Sequence, residues 1–169
     1  FLFGDGAGAA VVQAEEGELY PSVAGSDGTM GHVLACESRV QNDWQQKEAD
    51  RKTYIDMDGT AVFKFAVRKM PEMAKSLMTQ MHCTEADIDW FITHQANERI
   101  IEAIAKRLKS DIAKFPMNIA ECGNTSSASI PILLDEMNRS GQLKDGQKII
   151  MAGFGAGLSW GAVYMEWHA

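Results

Sequence analysis

Apolar residues recur every three or four positions in three segments of the chain, which is the spacing that places them on one face of an α-helix. The first segment begins at Thr60 and contains Pro71, which should kink that helix or restart it. The second follows Asn97, a good N-terminal cap, and the third stops at Gly141. The inward-facing residues predicted for the three helices are Val62, Phe63, Ala66, Val67, Met70, Met73, Ala74, Leu77, Met78 and Met81; Ile100, Ile101, Ile104 and Leu108; and Ala128, Ile130, Leu133, Leu134 and Met137.

Shorter apolar runs between these helices predict β-strands. They cover residues 7–14 (AGAAVVQA), 19–24, 88–94 (IDWFITH) and, more weakly, 115–118, and a glycine-rich reversal joins KIIMAGF to GAVYMEW near the end of the chain. Strands that alternate with helices predict an α/β layered domain with a mixed, mainly parallel sheet, an antiparallel end and flanking helices. The polar, irregular stretch 25–52 is of the kind that shapes a substrate entrance.

Composition is consistent with one packed domain over residues 1–169. A net charge of −7 argues against nucleic acid as a partner. Cys36, Cys83 and Cys122 are too few and too unevenly spaced for a disulfide framework, which favours a reducing, cytoplasmic setting. No apolar run reaches the roughly 20 residues of a membrane span, and the histidines and cysteines lack metal-ligand spacing, so we expect neither membrane nor metal. Because the chain starts without Met inside an apolar stretch, we also expect a fragment.

The glycines of GDGAGA, from Gly4 to Ala9, formally match the dinucleotide-binding pattern G-x-G-x-x-G/A. That pattern requires a helix whose N-terminus meets the pyrophosphate, whereas the sequence here continues as a strand-like run. The pattern also needs an acidic residue at the end of a second strand, and Asp27 falls in a polar loop. We therefore favour a tight turn and close strand packing for these glycines over cofactor binding.

His94 and the segment IAECGNTSSASIP (residues 119–131) are the candidates for chemistry. His94 lies where an apolar strand gives way to a helix, a common place for functional groups in open α/β sheets. In the segment, Asn124 is either a turn residue or an amide donor to an oxyanion, and Cys122 is a nucleophile if it pairs with His94. Most of the hydroxyls are expected to cap the following helix. The turn GFGAGLSWG either forms an oxyanion hole or is an ordinary hairpin.

Taken together, FGDGAGAA, HQANERI, GNTSSASIP and GFGAGLSWG occur in the order and approximate spacing of β-ketoacyl-acyl-carrier-protein synthase III. The whole chain resembles the C-terminal half of that family. The resemblance implies a thiolase-like fold, half of a duplicated αβαβα architecture, in a homodimer that uses acyl-CoA and malonyl-acyl carrier protein (ACP) without a separate cofactor. A family cysteine takes an acyl group from acyl-CoA. Malonyl-ACP then loses CO₂, and its carbanion attacks the thioester to start fatty acid synthesis.

The resemblance also assigns roles to residues. His94 of HQAN and Asn124 of GNTS match the donors to the malonyl thioester oxygen, for which His94 should be neutral and carry its proton on Nε2. Phe154 matches the aromatic residue beside the nucleophile, and Ala156 matches a position whose backbone N–H helps form an oxyanion hole. Pantetheine-lining positions correspond to Gly59, Phe63 and Asn97, and the carrier-protein surface corresponds to Lys64, Arg99, Lys106 and Arg107.

The family's nucleophile lies in its N-terminal half, so we expect two members of a Cys–His–Asn site here and no attacking thiol. None of the three cysteines of this chain matches the nucleophile's position, and the chain alone is predicted to be inactive. Two alternatives stay open. One is a related condensing enzyme of secondary metabolism with a different primer. The other is a non-catalytic thiolase-like partner subunit, against which the presence of both His94 and Asn124 argues.

Overall fold

The computed structural model of the chain describes residues 3–12, 16–17, 19–36 and 54–168. In chain order, its strands and helices are β1 (Ser22–Ser26), β2 (Leu34–Ala35), β3 (Asp56–Met57), α1 (Gly59–Gln80), β4 (Trp90–Thr93), α2 (Glu98–Leu108), α3 (Ile119–Cys122), α4 (Ser129–Arg139), β5 (Lys148–Gly155) and β6 (Ser159–Glu166). Short 3₁₀ turns occur at Gly28–Val33, Glu85–Asp87, Ile112–Lys114 and Ser126–Ala128. No helix in these ranges combines the length and apolar character needed to cross a membrane.

The main sheet places its four strands in the order β1, β6, β5, β4. β4 pairs with β5 in parallel, with Thr93 opposite Ala152. β5 and β6 form an antiparallel hairpin, and β1 adds to β6 in the antiparallel sense. β2 and β3 form a separate two-stranded sheet. The predicted mixed α/β sheet is confirmed, although two of its three described pairings are antiparallel, so parallel pairing is less prominent than predicted.

Helices cover both faces of the sheet because side chains alternate along its strands. Phe91 and Ile150 pack with α1 and α2, whereas their neighbours Ile92 and Ile149 pack with α4. Each face therefore has its own apolar core, and β4 and β5 lie between the two. This layering fixes the ends of β4 and β5 rigidly, which matters because the candidate site lies there.

Two predicted strands do not form in the described residues. Residues 7–12 run without strand pairing, and Val11 and Val12 are 98% and 91% exposed. A strand needs a neighbouring strand for its backbone hydrogen bonds, and no described strand pairs with these residues. Positions 13–14 lie outside the described ranges. Residues 115–118 are not a strand either, because Phe115 is buried by stacking on the Phe91 ring at 4.8 Å rather than by pairing.

The region around the predicted entrance differs from expectation in detail. The strand predicted at 19–24 forms as β1, two to three residues later. The first part of the stretch 25–52, predicted to be irregular, contains the end of β1, a 3₁₀ turn and β2. Its remainder, from residue 37 to 52, lies outside the described ranges.

α1 continues through Pro71 as one helix, so the predicted restart does not occur. Proline has no N–H to donate to the carbonyl four residues earlier, which belongs to Val67. Arg107 of α2 donates Nη1–H to that carbonyl at 3.1 Å. The neighbouring helix therefore satisfies the acceptor that the proline leaves open, and the same contact joins α2 to α1.

The helix starts show which caps were predicted correctly. Asn97 caps α2 as predicted, with its Oδ1 accepting the N–H of Arg99 at 2.9 Å. By contrast, the residues preceding the 3₁₀ turn and α4, Thr125 and Ala128, make no side-chain capping bond. The capping role predicted for the hydroxyls of this segment is therefore wrong. Instead, Asn124 Oδ1 accepts the N–H of Ser126 at 2.9 Å.

Candidate active site

A cavity of about 710 Å³ opens where β4 and β5 end, between the starts of α1, α2 and α4. Parallel strands of open α/β sheets collect functional groups at their carboxyl ends, so this is the expected place for a site. The cavity brings together most of the predicted site residues, namely His94, Asn124, Phe154, Ala156, Gly59, Phe63, Asn97 and Arg99. The remaining predicted residues, Lys64, Lys106 and Arg107, are exposed on α1 and α2 outside it.

His94 follows β4 directly, and its backbone N–H extends the parallel pairing by donating to the Ala152 carbonyl at 2.9 Å. Its Nδ1 lies 2.7 Å from Ser129 Oγ at the start of α4. The Phe154 ring packs edge-on against the imidazole, with 5.6 Å between centroids. Burial lowers the pKa of His94 below its ordinary value of 6.5, so the ring is neutral at neutral pH. Within the described ranges, Nε2 has no hydrogen-bond partner and stays available.

Gln95 is completely buried and holds the end of β4 in place. Its Nε2 donates to the carbonyl oxygens of Thr93 at 2.8 Å and Pro116 at 3.4 Å. Its Oε1 accepts the N–H of Asn118 at 3.3 Å, and its backbone N–H donates to Ser129 Oγ at 3.3 Å. The glutamine of HQAN therefore connects β4 to the segment before α3 and to the start of α4.

Asn124 lies in the turn before α4 and is 8% exposed. The bond from Ser126 N–H to its Oδ1 turns the amide nitrogen the other way. Its carbonyl accepts the N–H of Gly4 at 2.9 Å, which fixes the backbone of the turn. As for His94 Nε2, the described part of the chain gives Asn124 Nδ2 no partner. One imidazole and one amide donor are thus held by residues that line the same cavity.

The glycine-rich segment 4–9 packs against this turn. No helix follows it within residues 3–12, so the helix N-terminus that a dinucleotide site needs is missing there. A Cβ at Gly4 would collide with the Cys122 carbonyl oxygen, and one at Gly6 would lie 2.7 Å from Ile132 Cδ1. These glycines do pack closely, but against the Asn124 turn and the start of α4; the tight turn and strand packing expected of them are not found within residues 3–12.

The turn between β5 and β6 borders the cavity on the side of His94. Phe154 contacts the imidazole, and Ala156 follows β5 as an exposed residue of the turn. A Cβ added at Gly153 would meet His94 Cβ and Ile130 Cδ1 at 3.9 Å each, so β5 lies directly beside the histidine. The predicted oxyanion residues are therefore part of the site wall and do not belong to a remote hairpin.

The predicted pantetheine residues lie at the starts of α1 and α2. Gly59 is the first residue of α1, Phe63 lies one turn later and is 36% exposed, and Asn97 caps α2. The wall continues around β2 and β3. Leu34, Ala35 and Cys36 belong to the stretch 25–52 that was expected to shape an entrance, whereas the contribution of Ile55 and Met57 was not predicted. This side of the cavity is mostly apolar.

The predicted basic residues occupy two packed helices beside the cavity mouth. Arg99 and Lys106 are two turns apart and therefore lie on one face of α2. Arg107 contacts the carbonyl of Val67 on α1, one turn after Lys64. The four cations thus lie on two helices that pack together, with Arg107 engaged in the contact between the helices.

The cysteines divide by location. Cys122 is not among the residues described as lining the cavity, and burial, together with the Glu136 carboxylate 3.8 Å from its Sγ, raises the pKa of its thiol. A thiol that stays protonated is a poor nucleophile. Burial also raises the pKa of Cys83. Cys36, in the stretch expected to shape an entrance, does line the cavity. Across the described ranges, no group of three His, Cys, Asp or Glu could hold a metal ion.

Sequence reasoning also missed Ser129 and Gln95 as parts of the site. The sequence predicts that Ser129, like the other hydroxyls of its segment, caps a helix, yet its side chain is 2% exposed. A signal was present, because Ser129, Leu133 and Met137 follow one another at intervals of four on the buried face of α4. A hydroxyl on an apolar stripe requires a partner, and here that partner is His94.

A mixed sheet between helices, with a histidine at the end of β4 and an asparagine in the turn before α4 lining one cavity, places the chain in the class of thiolase-like α/β proteins. Residues 78–167 match the family described as 3-oxoacyl-[acyl-carrier-protein (ACP)] synthase III C terminal. The chain belongs to this family.

Individual relatives agree with this assignment. The chain is 45% identical over 169 residues to the β-ketoacyl-[acyl-carrier-protein] synthase III of Clostridium novyi (strain NT). The alignment covers 99% of this chain and 52% of that protein. It is similar to the crystal structure of the synthase III from Thermus thermophilus, with a TM-score of 0.82, 35% identity, and coverage of 94% of this chain and 49% of that chain.

A third similarity is to the priming β-ketosynthase from the R1128 polyketide biosynthetic pathway. The TM-score is 0.79 at 33% identity, covering 87% of this chain and 44% of that chain. The chain spans about half the length of the curated relatives it matches.

Proposed function

We propose that this chain is the C-terminal half of a 3-oxoacyl-ACP synthase III, a decarboxylating acyltransferase. The complete enzyme condenses an acyl-CoA primer, with acetyl-CoA as the first candidate, with malonyl-ACP and so starts fatty acid synthesis. The observation that carries the proposal is that His94 and Asn124 both line one cavity. Two donors from different elements line one cavity, and each has an N–H-bearing atom without a protein partner in the described residues.

The two donors act where negative charge develops. When the malonyl thioester loses CO₂, the electrons of the broken C–C bond move to the carbonyl and give an enolate. Its oxygen accepts hydrogen bonds from His94 Nε2–H and Asn124 Nδ2–H. A preorganised donor of this kind lowers a barrier by roughly 3 kcal/mol. The lowered pKa of His94 supports this role, because a neutral imidazole donates without needing to lose a proton first.

The second step joins the two carbon chains. The enolate carbon attacks an acyl thioester on a cysteine that this chain does not supply, and the thiolate leaves. In this proposal, the N–H of Ala156 binds the oxyanion of the tetrahedral intermediate. The position of Phe154 between the imidazole and the β5–β6 turn supports an additional role in excluding water from the reacting atoms.

The residues around the cavity also suggest how the substrates reach it. The pantetheine arm runs past Gly59, Phe63 and Asn97, where a Cβ added at Gly59 would meet nothing within 4 Å. The acidic carrier protein docks on the cations of α1 and α2. Arg107 donates to the Val67 carbonyl, whereas Lys64 and Lys106 do not take part in that contact. We also expect the complete enzyme to be a homodimer, which light scattering of the full-length protein tests.

The test separates the two half-reactions in the full-length protein. His94→Ala and Asn124→Ala should each slow malonyl-ACP decarboxylation by roughly 10²–10³-fold, the loss typical of one oxyanion donor. Acetyl transfer from acetyl-CoA to the protein, followed by intact mass, should continue. Asn138→Ala, an exposed asparagine on α4, is the matched control and should change neither. A parallel loss of both half-reactions in the two variants would refute this division of roles.

The chain alone should be inactive. Incubation with acetyl-CoA is expected to leave its mass unchanged, since no cysteine of the chain is proposed as the nucleophile. Acetylation of Cys36 or Cys122 at a catalytic rate would contradict this, and peptide mapping identifies the site. Cys36 is the stricter test because it lines the cavity.

The similarity to a priming ketosynthase of a polyketide pathway supports a second candidate with the same chemistry. In that case the primer differs while His94 and Asn124 keep their roles. A panel of acetyl-CoA and longer or branched acyl-CoAs, each with malonyl-ACP, discriminates between them. A preference for acetyl-CoA favours fatty acid initiation, and rejection of acetyl-CoA in favour of another primer favours the second candidate.

A further inference from the structure

Ser129 lies where the end of β4 meets the start of α4, and it is almost completely buried at 2% exposure. In the described part of the chain its Oγ has two hydrogen-bond partners. The backbone N–H of Gln95 reaches it at 3.3 Å, and His94 Nδ1 lies 2.7 Å away. No substrate role has been assigned to this serine above, yet it contacts the imidazole directly.

The positions of the protons follow from these two contacts. A backbone N–H can only donate, so Gln95 occupies one lone pair of Ser129 Oγ. The hydroxyl proton then needs an acceptor, and among the described contacts of Ser129 that acceptor is His94 Nδ1. With the proton on Nδ1 instead, the buried hydroxyl proton would have no partner, and Nε2 would offer a lone pair in place of an N–H. Burial disfavours the doubly protonated ring.

We propose that Ser129 is a positioning residue that holds His94 in the Nε2–H tautomer by donating its hydroxyl proton to Nδ1. The inference rests on the proposed function, because only this tautomer presents an N–H to the enolate oxygen. Gln95 takes part by donating its backbone N–H to one lone pair of Ser129 Oγ, so the hydroxyl proton is the polar atom that still needs a partner, and His94 Nδ1 accepts it. The side-chain bonds of Gln95 to Thr93, Pro116 and Asn118 keep that N–H in place.

The tautomer can be measured directly in the full-length protein labelled with ¹⁵N-histidine. Long-range ¹H–¹⁵N spectra distinguish a protonated ring nitrogen from an unprotonated one, and His94→Gln identifies the His94 signals. We expect an unprotonated Nδ1 and a protonated Nε2 in the wild type. A protonated Nδ1 would overturn the proposal. This result needs no variant of Ser129 and therefore holds even if such a variant folds poorly.

Variants of Ser129 test the consequence. Ser129→Ala should populate both tautomers of His94 and lower kcat for malonyl-ACP decarboxylation by roughly 10–100-fold, by analogy with the loss on removing the hydrogen-bond partner that orients a metal-binding histidine. KM for malonyl-ACP and acetyl transfer should stay unchanged, and Ser129→Thr, which keeps the hydroxyl, should recover the wild-type spectrum. Ser140→Ala at the end of the same helix is the control, because its hydroxyl donates only to the Met137 carbonyl.

The outcomes separate this inference from the proposed function. If Ser129→Ala keeps a single Nε2–H tautomer and full kcat, the role of Ser129 is refuted while the enzyme assignment stands. If the wild type shows the Nε2–H tautomer but the full-length protein does not decarboxylate malonyl-ACP, the proposed function fails and the tautomer assignment stands.

Discussion

Replacing Gln95 tests whether the site is held by the hydrogen bonds of this one buried side chain. Gln95→Leu keeps most of the volume but removes both donors and the acceptor of the amide. Three backbone groups then lose a partner, namely the carbonyls of Thr93 and Pro116 and the N–H of Asn118. Two of these bonds are long, at 3.3 and 3.4 Å, so the lower end of about 1 kcal/mol for each unsatisfied group applies.

The expected loss in free energy of unfolding is therefore about 3 kcal/mol. For a chain of this size that corresponds to a fall in Tm of about 6–12 °C, at about 2–4 °C per kcal/mol. Differential scanning calorimetry and urea unfolding of the purified chain measure both quantities. Gln80→Leu, at an exposed position on α1, is the control and should change Tm little. A loss below about 1 kcal/mol for Gln95→Leu would show that these contacts do not hold the site.

Three further predictions concern charge and helix packing. Burial lowers the pKa of His94 in the folded chain, so the unfolded chain binds more protons than the folded chain as pH falls through about 6.5, and the free energy of unfolding decreases below that pH. His94→Gln should therefore make the urea midpoint less pH-dependent between about pH 7.5 and pH 5. The double variant Lys64→Glu, Lys106→Glu should raise KM for malonyl-ACP severalfold but leave KM for acyl-CoA unchanged, and added salt should reduce the difference in KM between variant and wild type. Equal increases in KM for both substrates would exclude carrier-protein docking on these two lysines. In Pro71→Ala the alanine N–H can donate to the Val67 carbonyl, so Arg107 is no longer its sole donor among the described residues. A double-mutant cycle of Pro71→Ala and Arg107→Ala should therefore show a coupling free energy of about 0.5–1 kcal/mol, and strictly additive effects on the free energy of unfolding would contradict this account of the helix contact.

Periodicity predicted the elements that bury an apolar face within the described chain. α1, α2 and α4 each carry a stripe of three-and-four spacing, and β4 and β5 carry short apolar runs, so the elements form where the pattern predicts them. In α1 the predicted face is wrong at one point, because Phe63, predicted to face inward, is 36% exposed and Phe65 is buried instead. The failures lie where local pattern and available partners disagree. Residues 7–12 have strand-like composition, but Val11 and Val12 have no described neighbour to pair with.

The candidate site was predicted in part. His94 and Asn124 were recognisable from their motifs, and the structure places both at one cavity. Ser129 and Gln95 were not, because their roles depend on contacts between segments some 35 residues apart and leave little trace in the local sequence. Pro71 shows the same limit, since whether a proline ends a helix depended here on an arginine supplied by another helix.

Gly4, Gly6 and Gly8 follow one another at every second position, and each would press an added Cβ against the residues around Asn124 and the start of α4. Tolerance to substitution should therefore alternate along this segment, with residues 4, 6 and 8 accepting almost nothing while Asp5 and Ala7 accept many side chains. In a saturation mutagenesis screen for growth, Gly4 would then score like an active-site residue although it is not among the described residues that line the cavity. A map of mutational sensitivity alone would therefore assign too many residues of this protein to chemistry, because part of what it records is the space that the Asn124 turn occupies.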